Sequence, residues 1–115
     1  MDEKKNSIVI IWTSRDRDVA LEVVFPYTLN SKLREWWKDI TLVVWGPSTK
    51  LLSHDIELQE YIKKIKESGV AIEACKACAD HYGLSSKIEE LGINVRYMGE
   101  ATTEYIKEGR SIITY

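Results

Sequence analysis

Short, continuously apolar runs alternate along the chain with amphipathic stretches. Five runs stand out, at residues 8–13, 41–45, 70–74, 94–98 and 111–115. Their apolar residues are consecutive instead of alternating, which is how strands read when helices cover both faces of a parallel sheet. Between the first two runs, Ser14 or Asp16 can cap a helix whose inward face is Val19, Ala20, Val23, Val24, Tyr27 and Leu33. Pro26 must bend that helix or end its first half, because it removes a hydrogen bond and its ring meets the preceding turn. Leu58, Tyr61, Ile62 and Ile65 recur at helical spacing before Gly69, whose missing Cβ suits the left-handed residue that stops a helix. Ser86 with Glu89 fits a capping box for a short helix ending near Leu91 and Gly92. A last helix from Thr102 to Glu108 closes on Gly109. These strand-helix-strand units predict an α/β fold with right-handed crossovers.

A chain of 115 residues builds one compact core and not two, so residues 1–115 read as a single domain with residues 1–6 as a flexible N-terminus. Lys and Arg total 16 against 18 Asp and Glu, and the net charge of -2 is spread along the chain. Neither nucleic acid nor an anionic membrane is recruited by such a surface. The opening Met1-Asp2-Glu3-Lys4-Lys5 passes into an apolar stretch of about five residues, far short of a signal peptide or of a membrane span of about 20 residues. The expected location is the cytoplasm. In that reducing compartment the two cysteines, three residues apart, point to redox, metal or nucleophilic use before a structural disulfide.

In an open parallel sheet, ligands bind beyond the carboxyl ends of the strands. The first strand is followed by Thr13-Ser14-Arg15, the second by Gly46-Pro47-Ser48, the third by Cys75-Lys76-Ala77-Cys78 and the fourth by Gly99-Glu100. No glycine-rich phosphate loop is among them. Cys75 follows its strand directly and opens a segment, residues 76–81, that can be helical. A helix start favours the thiolate, and Lys76 adds a positive charge. The alternative is an inert, buried small side chain. Cys78 returns to the same helical face, so the pair can form a disulfide. With only His81 nearby and His54 distant, the ligands fall short of the four a structural zinc needs, so no metal and no cofactor is expected. His81 reads either as a base near the thiolate or as a solvated helix-end residue.

Trp12 and Trp45 sit at the ends of neighbouring strands and either wall a pocket or fill the core beneath it. Trp36 and Trp37 point about 100 degrees apart on a helix, which leaves one of them to face a partner subunit.

Trp12-Thr13-Ser14, the Val43-Val44-Trp45-Gly46-Pro47-Ser48 strand end, Ala74-Cys75-Lys76-Ala77-Cys78-Ala79 with Gly83, and Tyr97-Met98-Gly99-Glu100 together resemble the DsrE/DsrF-like family, from Ile8 to Tyr115. The resemblance implies a three-layer α/β/α sandwich around a five-stranded, mainly parallel sheet, assembled as homotrimers or hexamers. It further implies relay of sulfur as a cysteine persulfide, received from a small sulfur-carrier protein, with the relay cysteine at Cys75. Cys78 lies outside that relay motif and raises the alternative of a dithiol redox protein, beside a third reading as a non-catalytic oligomeric binding domain. On this reading Trp12, Thr13, Ser14, Gly46, Pro47, Lys76, Met98 and Gly99 line the pocket around Cys75 and Cys78.

Overall fold

The computed structural model describes residues 6–115. Up to Lys5, the expected flexible N-terminus lies outside the described residues; the carbonyl of Asn6 accepts a hydrogen bond from Lys38 N–H at 2.8 Å. Among the described residues, five strands form one sheet: β1 (Ser7–Trp12), β2 (Asp39–Val44), β3 (Ala71–Cys75), β4 (Asn94–Arg96) and β5 (Ser111–Thr114). Their spatial order is β4-β3-β2-β1-β5, and every pairing is parallel. β1 is buried along its whole length, as a strand whose middle four residues, Ile8 to Ile11, are all β-branched should be in a doubly covered sheet.

Helices cover the two faces unequally. Three crossovers, from β1 through to β4, pack on one face, where Val24, Phe25, Leu52, Leu58, Ile62 and Ile88 meet Ile10, Trp12, Leu42, Val44 and Ala74. The last connection returns from β4 across the whole sheet to β5. Its helix α7 (Met98–Lys107) covers the other face, where Met98 and Ala101 meet Val9, Ile11, Val43 and Cys75. The result is the expected three-layer sandwich.

The first crossover begins at Asp16, whose carboxylate caps α1 (Arg17–Val19) by accepting from Asp18 N–H at 2.9 Å. The chain then widens into a π-helical segment, Ala20–Val24, before α2 (Phe25–Leu33). Pro26 sits in the first turn of α2, so its missing donor falls where the ladder changes pitch, and the helix continues past it. The wider turn also rotates the residues that follow. Val24, Phe25 and Thr28 face the sheet, while Val23 and Leu33, expected to face inward, are 41% and 63% exposed.

Helices α3 (Pro47–His54) and α4 (Ile56–Glu67) make the second crossover, and α4 buries the expected Leu58, Ile62 and Ile65. α5 (Lys76–His81) and α6 (Ser85–Glu90) make the third. The capping box expected at Ser86 is absent: α6 follows Leu84 without a side-chain cap, and the hydroxyl of Ser85 donates to Asp80 instead. α7 begins at Met98, four residues ahead of the expected Thr102, because burial of Met98 and Ala101 favours helix there.

Candidate functional site

The connection from β3 leaves toward the first face, where Ile88 of α6 packs, whereas that from β4 leaves toward the second through α7. Adjacent parallel strands whose connections part in this way open a crevice beyond their carboxyl ends. Cys75 ends β3 at that crevice and is also the residue from which α5 starts. It is 4% exposed and belongs to the buried cluster that also holds Val9, Ile11, Val43, Met98 and Ala101. Cys78, one turn later, is half-buried, and both thiols are free.

Burial pushes the Cys78 thiol up, and its hydrogen bond with Cys75 adds to the shift, while a hydrogen bond from the backbone N–H of Gly46 pulls the other way. Cys78 therefore stays a thiol near neutral pH and can donate its S–H to the neighbouring sulfur. Gly46 adopts φ 74°, ψ -137°, a conformation that residues with a Cβ avoid, although the space around it is open.

Of the other residues expected around the cysteines, Met98 is fully buried in the Cys75 cluster and Trp45 packs at its margin. Trp12 is core and not a pocket wall: it is fully buried on the opposite face, edge-on to Phe25 with ring centroids 5.0 Å apart. Thr13 and Ser14 hold backbone. Thr13 Oγ1 donates to the Tyr115 carbonyl at 2.8 Å, and Ser14 Oγ accepts from Asp16 N–H at 3.0 Å. Ser48 ties the ends of β1 and β2 together, its Oγ donating to the Trp12 carbonyl at 2.6 Å. Pro47 lines a separate cavity of about 360 Å³ with Arg15, Lys50, Leu51 and Tyr82. The Lys76 ammonium pairs with Asp80 at 2.8 Å and lies 5.9 Å from the Tyr97 ring, so its charge is shared with that carboxylate. Gly99 is exposed in the first turn of α7, and His81 is exposed at the end of α5. Trp37 is half-buried with Nε1 donating to Tyr27 Oη at 3.1 Å, while Trp36 is 54% exposed.

A polar group beside the cysteines was missed from sequence. Glu73 lies two residues before Cys75, hence on the same face of β3, and is 7% exposed. Tyr105 Oη donates to its Oε1 at 2.6 Å, and Arg96 Nη1 donates to its Oε2 at 3.2 Å. The Arg110 guanidinium lies 4.9 Å from the Tyr105 ring centre. The signal that could have found this group is a lone carboxylate inside an apolar strand run, since a buried charge requires partners.

Burial first, then the hydrogen bond to Glu73, pushes the Tyr105 phenol up to about 12. A folded value above the ordinary one means that the stabilisation is complete below about pH 10 and is lost as pH rises toward 12. Because the phenol is only partly shielded, the contribution is about 1 kcal/mol. Tyr105→Phe should lower the urea-unfolding free energy by about 1–2 kcal/mol at neutral pH. The variant should also lose less stability than the parent between pH 10 and 12, which paired denaturation curves would read.

Among the described residues, no cluster of three or more His, Cys, Asp or Glu side chains is placed to hold a metal ion, and no helix is long and apolar enough to cross a membrane. A model of the DsrE/DsrF-like family matches residues 16–115. Among solved structures, BT1422 from Bacteroides thetaiotaomicron, described as a conserved protein of unknown function, is 42% identical, covers 96% of this chain and 95% of its own, and superposes with a TM-score of 0.93. The ychN protein from E. coli is 12% identical, covers 96% of this chain and 99% of its own, and superposes with a TM-score of 0.73, a likeness of fold alone. No curated protein matches the sequence.

Proposed function

Because the chain belongs to the DsrE/DsrF-like family, which is generally associated with sulfur relay, we propose that Cys75 accepts sulfur, holds it as a persulfide and passes it on. The observation that carries this reading is a nearly buried thiol at the crevice between β3 and β4, with a second thiol packed against the same cluster. In the loading step the Cys75 thiolate attacks the outer sulfur of a donor persulfide. A new S–S bond forms, the donor's S–S bond breaks, and its electron pair leaves on the donor thiolate. Delivery is the same exchange with an acceptor thiolate attacking the outer sulfur and Cys75 leaving. Neither step needs an oxidant. Burial shields the loaded sulfur from bulk thiols between the two steps.

Treating the protein with a persulfide donor and weighing it intact is expected to show a gain of one sulfur atom that Cys75→Ser abolishes. No gain, or a gain that survives the substitution, would defeat the proposal.

The packing of Cys78 against the cluster that holds Cys75 favours a second reading, a dithiol redox protein. Cys78 attacking the Cys75 persulfide would release hydrogen sulfide and leave a disulfide, which a dithiol reductant must then reopen. The raised Cys78 thiol slows that attack near neutral pH, because the thiolate is the nucleophile. Mild oxidation that removes two hydrogen atoms reversibly from the parent, and not from Cys78→Ala, would favour this second reading.

Family members are often oligomeric. A homotrimer or hexamer of this chain in the cytoplasm, exchanging sulfur with a small carrier protein, fits the exposed Trp36 and Ile106.

A further inference from the structure

Arg96 ends β4 directly opposite Cys75 in the parallel register. Facing residues on neighbouring parallel strands project to the same side, and the strands lie about 4.8 Å apart, so guanidinium and sulfur share one face of the sheet. Glu73 reaches across that face and holds Arg96 by a single bond, Nη1 to Oε2 at 3.2 Å. Among the described residues, this is the only hydrogen bond of the Arg96 side chain. A guanidinium offers a fork of N–H donors suited to carboxylates, and this one is 42% exposed, so its other donors remain open to a ligand. Glu73 is nearly buried, and its second oxygen is taken by Tyr105, which anchors the carboxylate and, through it, the arginine.

We propose that Arg96 is a specificity-determining residue that selects sulfur donors whose own thiol bears a carboxylate close to the transferring sulfur. Glu73 sets the strength of that selection by orienting the guanidinium and offsetting part of its charge. The proposal rests on Cys75 as the sulfur acceptor. In the transfer, the donor carboxylate pairs with Arg96 while the Cys75 thiolate attacks the outer sulfur. The donor leaves as a thiolate that takes up a solvent proton, and the extra sulfur stays on Cys75.

Charge selection can be read without any sulfur donor. The chain has two cysteines, so in Cys78→Ser only Cys75 remains to react. Its rate is measured with two aromatic disulfides, the dianionic 5,5′-dithiobis(2-nitrobenzoate) and the neutral 4,4′-dithiodipyridine; in both, the thiolate forms a mixed disulfide and expels a product followed by its absorbance. Added Arg96→Gln should lower the ratio of dianionic to neutral rate roughly five-fold, the scale of one charge at a half-exposed site. Arg96→Lys should retain most of the ratio. Glu73→Gln should raise it, the opposite of what loss of a purely structural carboxylate would do, and added salt should shrink all three differences.

A ratio unchanged in Arg96→Gln, or both rates falling together, would overturn the proposal. Arg96 lies on an edge strand and partly in solvent, so its variants decide the matter even where Glu73→Gln does not fold. Failure of the parent to take up sulfur, with the reagent ratio intact, would count against the relay and not against charge selection.

Discussion

Replacing Met98 with alanine is expected to destabilise the fold by about 2–5 kcal/mol and at the same time to open Cys75 to reagents. Met98 is fully buried at the first turn of α7 and packs in the cluster that holds Cys75, with Val43 and Ala101 around it. Truncation removes several buried methylene-sized groups and leaves a cavity within the cluster that holds the sulfur. Equilibrium urea unfolding reads the first effect. The second is read by the rate at which Cys75 reacts with a neutral disulfide in a Cys78→Ser background, expected to rise several-fold above that background alone. An unchanged rate would mean that Met98 does not restrict access to the thiol.

Phe25→Ala should cost a comparable amount, about 3–5 kcal/mol, with the opposite outcome at the thiol. Phe25 is fully buried on the other face of the sheet, where its ring meets Trp12 and Tyr61 at centroid distances of 5.0 Å each. Its cavity opens toward α4 and not toward Cys75. Under conditions where the variant stays folded, the Cys75 rate should match that of its background. The two substitutions thus separate general loosening of the domain from specific exposure of the site. If Phe25→Ala accelerates the thiol as much as Met98→Ala does, burial by α7 is not what controls access.

The strands could be read from sequence because each apolar run is continuous and then gives way to a helical pattern. That change alone put Cys75 at the tip of β3. α3 escaped notice because Pro47–His54 is poor in apolar residues; Ser48, Thr49 and Ser53 are buried there. For Ser48 and Ser53, hydrogen bonds to backbone carbonyls help to satisfy the hydroxyls. Hydrophobic periodicity does not register such a helix. The start of α7 was hidden because Tyr97-Met98-Gly99 reads as the end of a strand, and only packing against Cys75 and its neighbours makes Met98 helical. Glu73, Arg96 and Tyr105 come from β3, β4 and α7, so nothing local in the chain links them. Lys76 was expected to add its charge at the thiolate, and in the fold that charge is shared with Asp80, one turn along the same helix.

On the relay proposal, Cys75 Sγ, and not that of Cys78, bears the transferred sulfur. Incubating the parent protein with a persulfide donor at neutral pH, alkylating it, digesting it and sequencing the peptide that spans Cys75 and Cys78 by mass spectrometry tests this directly. The extra sulfur is expected on Cys75, with Cys78 alkylated as an ordinary thiol. Sulfur found on Cys78, or a Cys75–Cys78 disulfide with no sulfur retained, would contradict the account.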